Sequence, residues 1–247
     1  MLTENKFSKY LLYAVGEIVL VVIGILIALS INNWNEQRKL DTEEKYLLNE
    51  LMQEFQINLK DVKKDDIING SSKDAAFGIM HMIQEKSIQN NTSKLDSLFF
   101  VVIGYSSYNA STGVLDEIIS SGKLRAIKDI KLKTLLTQWS GIIENQQEDI
   151  TVRREYINTF VIPHYSKNAP MKNVSRFLDF SHWSKRYKGN LIKKSNFNYD
   201  IENIESREFE SFLYKYTIDQ DFILLNNSET KDYIKSVINL INLNLNN

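Results

Sequence analysis

Apolar and polar positions change their rhythm several times along this chain. From Leu11 to Ile31 almost every residue is apolar, and the one acid is Glu17. As a helix rising ~1.5 Å per residue, this run reaches about 31 Å, which matches the ~30 Å hydrocarbon core of a bilayer. A cleaved signal peptide is the competing reading, because Ala28-Leu29-Ser30 resembles a small-residue cleavage site and Lys6 and Lys9 precede the run. Three features favour a retained membrane helix. The run exceeds the ~7–15 residues of a signal peptide's apolar region, an acid lies inside it, and helical periodicity continues past residue 31.

Beyond the run, Leu48, Leu51, Phe55, Leu59 and Val62 recur at spacings of three and four, predicting a stalk helix that stays helical to about Asp66. "INGSSKD" predicts a break, with Ser71 or Ser72 as N-cap of a short helix through "AAFGIMHMIQ". A further helix is expected over residues 95–105. "NASTGVLDEIISSGKL" then reads as a capped helix with Gly122 just past its end. The most regular pattern is Leu132, Leu135, Trp139, Ile142, Gln146, Ile150, Arg153, Ile157 and Phe160, a near-heptad run that Pro163 is expected to end. Residues 163–204 lose periodicity and predict an irregular connection with at most one short helix. The C-terminus returns to helical spacing in two segments meeting near Asn226-Asn227-Ser228. No sustained alternation bounded by hairpin turns occurs. The expected fold is all-α: a tail over 1–10, a transmembrane helix over 11–33, a stalk helix over 34–66, and an antiparallel helical bundle over 67–247.

Composition changes this picture little. A chain of 247 residues, 43% hydrophobic, suffices for one core of good size beyond the anchor. Having no cysteine, it excludes disulfides, zinc-thiolate sites and thiol catalysis. A net charge of -1 with acids and bases interspersed offers no basic face for nucleic acid.

Glu17 changes it more. A charge in the hydrocarbon region costs at least ~2.5 kcal/mol, so such a residue calls for a reason. At about 100° per residue, Gly24 lies about 20° to one side of Glu17 and Ala28 about 20° to the other. Gly24 and Ala28 form a small-xxx-small pair, the spacing that lets two helix backbones approach closely. Either this stripe faces another transmembrane helix, with Glu17 protonated or paired, or Glu17 reaches the headgroups by tilt and local thinning. Trp34, between Asn33 and Asn35, suits an amphipathic anchor at the membrane exit.

The stretch "ENKFSKYLLYAVGEIVLVVIGILIALSINNWNEQRK", residues 4–39, resembles the opening of a family of flavobacterial and other Bacteroidota membrane proteins known only as domain of unknown function 6090. The Gly16-Glu17 pair, the run from Gly24 to Ala28 and the stretch from Asn32 to Glu36 carry the resemblance. "LDEIISSGKLRAIKDIKLKTLL", residues 115–136, and the helical C-terminus add to it more weakly. The resemblance implies a single-pass, largely helical membrane protein and implies no activity. The chain departs from the family in having Ser30 where Gln is common and in lacking a strongly basic N-terminal arm. Counting basic residues is close to neutral, with Lys6 and Lys9 before the run and Arg38, Lys39 and Lys45 after it, so the arm that the resemblance implies is the main basis for expecting a cytoplasmic N-terminus and a domain on the periplasmic side of the inner membrane.

Motifs for chemistry fail on inspection. "DDIINGSSKDAA" superficially resembles a calcium loop, yet its third and twelfth positions are Ile67 and Ala76. Met80 and Met82 flank His81, but on a helix the two sulfurs point about 200° apart and cannot close on one copper ion. The three histidines stand in no metal-ligand spacing, and no nucleophile elbow or phosphate-binding loop is present. Carboxylate pairs such as Asp65-Asp66 read as solvated surface. Two stretches remain. Gln146 and Arg153 sit on the heptad stripe as a buried polar layer, a ligand contact or partly exposed residues. "FLDFSHWSKRYKGN" mixes Phe180, Trp183 and Tyr187 with Arg186, as interface centres do, or caps the bundle. The expected role is non-enzymatic: a membrane-tethered module that binds a protein partner or a second copy, with no cofactor, metal, nucleic acid or small-molecule substrate. The alternative is a ligand-binding sensor bundle.

Overall fold

In the computed structural model, which describes residues 6–104, 106–177 and 193–246, no strand occurs among the described residues. One helix organises everything else. Helix α1, Lys6–Gln84, is 79 residues long and therefore about 118 Å at ~1.5 Å per residue. From Tyr10 to Ile31 every side chain is exposed, and this segment is long and apolar enough to cross a membrane.

From Glu44 onward the same helix buries one seam. Glu44, Leu48, Leu51, Phe55, Asn58, Val62, Asp65, Asn69, Ser72, Ala76, Ile79 and Ile83 alternate spacings of four and three, and all are buried. This is the heptad period of helices that wrap one another. The seam does not break at 68–74 as the sequence predicts, and Ser71 and Ser72 cap nothing. Ser71 Oγ donates to the Ile67 carbonyl one turn back, and Ser72 Oγ donates across to the Val101 carbonyl. The apparent break arises because seam positions 65, 69 and 72 are polar, which interrupts a hydrophobic pattern without interrupting the helix.

Helix α2, Thr92–Ile103, packs back on α1, close enough that a Cβ on Gly78 would stand 3.2 Å from Leu98. Helix α3, Gly113–Ser120, ends with Gly122 at φ 72, the left-handed position that glycine tolerates without strain. Its start is capped from α1: Glu54 Oε1 accepts from the Val114 N–H and Oε2 from the Leu115 N–H. Asn58 exchanges two bonds with the Ser111 backbone, and Glu44 accepts from the Lys128 N–H. Polar residues on α1 thus fix the whole connection to α4.

Helix α4, Ile130–Tyr156, starts on the Asp129 side chain, which accepts from the Leu132 N–H. It runs parallel to α1, since Phe55 meets Trp139 and Asn69 meets Arg153 at one offset. Pro163 does not end this run. A π-helical turn over Ile157–Val161 leads directly into α5, Ile162–Asn168, with the proline in its first turn where no N–H is needed. The wider turn moves the seam by one residue, so Val161 is buried where the heptad predicts Phe160, which stays 43% exposed.

Two further short helices, α6 (Met171–Val174) and α7 (Ile201–Ile204), make the connection more helical than expected. Helix α8, Arg207–Leu245, starts on Ser206 and runs unbroken through Asn226-Asn227-Ser228. It lies antiparallel to α1, as the Lys73–Asp221 and Asp66–Lys231 ion pairs show. Its buried seam includes Gln220, Asn227 and Thr230, which again look like a gap in the apolar pattern. Two apolar cores result. One holds Leu48, Phe55, Trp139, Ile234, Val237 and Ile241; the other holds Ile79, Phe99, Tyr165 and Phe209.

Candidate functional site

Between the two cores lies a band of polar side chains drawn from α1, α4 and α8. Asp65, Asn69, Gln146, Arg153, Gln220 and Asn227 are all buried, Arg153 with 0% of its surface exposed. Asp65 anchors the band, its Oδ2 accepting from Asn69 Nδ2 at 2.8 Å and from Asn227 Nδ2 at 3.0 Å. Each amide then passes the polarity outward. Asn69 Oδ1 accepts from Arg153 Nη1 at 2.5 Å, and Asn227 Oδ1 accepts from Gln146 Nε2 at 3.1 Å. Arg153 also donates to Gln220 Oε1 at 3.2 Å and to the Ser106 carbonyl at 3.1 Å.

Arg153 and Asp65 are therefore opposite charges joined through an amide. Burial pulls the guanidinium below its ordinary pKa, opposed by Tyr216 and Asp65. Four atoms of the band and its margin have no hydrogen-bond partner among the described residues: Asp65 Oδ1, Gln146 Oε1, Arg153 Nε and Asp219 Oδ2. Asp65 corrects the sequence reading, which placed it on solvated surface with Asp66. Only Asp66 lies toward the outside, paired with Lys231.

Another buried acid, Asp96 on α2, accepts from the Tyr165 hydroxyl at 2.7 Å and from the Tyr199 hydroxyl through both oxygens. Asn173 in turn donates to Tyr199 Oη at 2.7 Å. Burial pushes the Asp96 carboxyl above the usual range against the pull of its two tyrosine bonds. This knot joins α2, α5, α6 and the chain before α7. Nothing in the sequence singled out Asp96, because one acid in "LDSLFF" has the look of a helix surface.

The remaining sequence-predicted residues fall as follows. Glu17, Gly24 and Ala28 are exposed on α1, and a Cβ on Gly24 would meet nothing within 4 Å. Trp34 is 65% exposed, with the Arg38 guanidinium 5.5 Å from its ring centre. Gln146 and Arg153 come together in the band with four residues that sequence reasoning missed. Phe180, Trp183, Arg186 and Tyr187 lie outside the described residues. Met80 and Met82 are buried while His81 is exposed, and no group of three acids or histidines suited to a metal occurs among the described residues.

The class so defined is an all-α protein: a helical bundle built along one extended N-terminal helix whose first part is apolar on every side. Residues 17–146, just over half of the chain, match the model of the family of unknown function DUF6090, and the protein belongs to that family. No curated protein and no solved structure matches it.

Proposed function

We propose that this protein is a non-enzymatic, membrane-tethered module of the cell envelope that assembles, with a protein partner or a second copy, through its spanning helix. Residues 11–33 form the span, with Trp34 at the exit, the N-terminus in the cytoplasm and the bundle in the periplasm. The observation that carries this reading is a contrast along α1. Asp65, Asn69 and Ser72 on the bundle seam are bonded within the chain, whereas Glu17, Gly24 and Ala28 share a stripe that no described residue covers. In lipid, small residues permit close approach and a polar side chain gains from a bond across the interface.

The stalk face is covered by the same chain, by α8 and α3, with Trp139 of α4 against Phe55. The membrane stripe is thus the surface on which the reading rests. Gly24→Leu adds bulk where the isolated chain has open space, so its effect on assembly reports an intermolecular contact. Extracted in mild detergent, the full chain is expected to migrate as a complex that Gly24→Leu and Glu17→Leu each dissolve, with unchanged helical content. A complex that survives both substitutions would refute the proposal. The absence of cysteine gives a direct test of orientation. A cysteine placed at exposed Ser228 is expected to react with a membrane-impermeant maleimide from the periplasmic side.

A further inference from the structure

Helix α1 joins the proposed span to the bundle without a break, so position along it measures how far each bundle residue stands from the membrane. Between α3 and α4 the chain descends toward the span. Val114 is bonded to Glu54, and Lys128 to Glu44, ten residues nearer the membrane on α1. Helix α4 then runs parallel to α1 and away, so residues 121–131 form a turn at the membrane-facing end of the bundle. The end of α8 joins it there, with Asn244 donating to Asp129.

This turn concentrates positive charge. From Gly122 to Thr134 there are five basic residues, Lys123, Arg125, Lys128, Lys131 and Lys133, against one acid, Asp129, a bias that the net charge of -1 conceals. Most acids around it are taken up within the chain. Asp129 accepts from the Leu132 N–H and from Asn244, Asp41 and Glu44 pair with Lys128, and Glu36 pairs with Lys39. Glu43 on α1 and, midway along α3, Asp116 and Glu117 remain. Lys123, Arg125 and Lys131 are exposed and make no ion pair among the described residues. Ile130 stands beside them, 74% exposed. Because α4 points away from the membrane, side chains in its first turn lean back toward it, Ile130 and Lys131 included.

The turn is also close enough to reach lipid. Lys128 Nζ donates to Asp41 Oδ1 at 2.6 Å, and Asp41 lies only about 10 Å beyond Trp34 along the helix. Headgroups fill the first ~5–7 Å outside the hydrocarbon, and charges act over a Debye length of ~8 Å. Spanning helices tilt by ~20° on average, and such a tilt toward the bundle lowers whatever stands one helix diameter, ~10 Å, to the side by about 3 Å.

We propose that this turn docks on anionic phospholipid headgroups of the bilayer that α1 spans, with Lys123, Arg125 and Lys131 against phosphates and Ile130 in the headgroup layer. The docking rests on the span over 11–33 and not on the Glu17 stripe. The test uses the full chain in symmetric vesicles of phosphatidylcholine, alone or mixed equally with phosphatidylglycerol, carrying a nitroxide quencher on the headgroup. Since the chain has no cysteine, a fluorophore at Ser121→Cys reports the turn, and one at Ser228→Cys, higher in the bundle, is the control. Stronger quenching at Ser121 in the mixed vesicles is expected, with no lipid difference at Ser228. Each basic side chain near an anionic surface contributes about fivefold, so the variant Lys123→Gln/Arg125→Gln/Lys131→Gln shifts docking on the order of hundredfold and should abolish the lipid difference. Flotation with phosphatidylcholine vesicles reports the span separately. A chain that does not float removes the span and the docking together. A chain that floats yet is quenched equally at Ser121 in both lipids, or whose triple variant keeps the difference, overturns the docking alone.

Discussion

Two of the acids on helix α1, Glu17 and Asp65, live in opposite circumstances. Glu17 is exposed, in an apolar segment that no other part of the described chain covers. Asp65 is 2% exposed, bonded to two amides and linked through Asn69 to a buried arginine. The backbone is the same continuous helix in both places. The difference is therefore one of solvation. In the bundle, a buried charge is tolerated because neighbouring helices supply its partners, whereas an acid placed in lipid without such partners carries the cost of its burial. The contrast also shows why the two stretches are built differently. A helix apolar all round is suited to lipid, and a helix with one buried seam is suited to packing against its own chain.

The largest test of this contrast removes a charge from each setting. Arg153→Leu leaves Asn69, Gln220 and the Ser106 carbonyl without their donor and Asp65 without a counter-charge. It is expected to cost the bundle about 3–5 kcal/mol in denaturant unfolding. Glu17→Leu should change the same measurement by no more than about 0.5 kcal/mol. Comparable losses in both variants would erase the distinction.

A smaller effect is expected at Glu54, whose carboxylate caps α3 from α1. Glu54→Ala should cost about 1–2 kcal/mol and speed amide exchange at Val114 and Leu115, with little change in α8. Uniform loss of protection would show that the cap is not a local device. The smallest effect concerns Gly70, inside the stretch that reads as a break. A Cβ there meets nothing within 4 Å, and glycine weakens a helix interior. Gly70→Ala should therefore stabilise the bundle by about 0.5–1 kcal/mol in thermal or denaturant unfolding. Destabilisation would indicate that α1 bends at this point.

Legibility followed the apolar signal. The membrane-length run, the α4 heptad, the α3 stop at Gly122 and the all-α class can be read from spacing alone. The breaks predicted in α1 and α8 failed for one shared reason. Asp65, Asn69 and Ser72 on one helix, and Gln220, Asn227 and Thr230 on the other, occupy seam positions with polar side chains. Hydrophobic periodicity fades where a buried polar layer begins, and it cannot distinguish such a layer from a loop. The shift from Phe160 to Val161 was illegible for another reason, since a π-helical turn inserts its extra residue without a glycine or other local marker.

What the sequence determined by itself was set by local physics: an apolar run of bilayer length, helix-forming stretches with seams at heptad spacing, and caps at Asp129 and Ser206 next to the helices they start. What only the tertiary structure decided was which polar residues belong inside. Whether Asp65 or Asp66 is buried, and whether Gln146 is left with a free acceptor, depends on partners far away along the chain, Asn227 above all. Burial of a polar group is stable only when those distant partners arrive together, and no single stretch of sequence carries that condition.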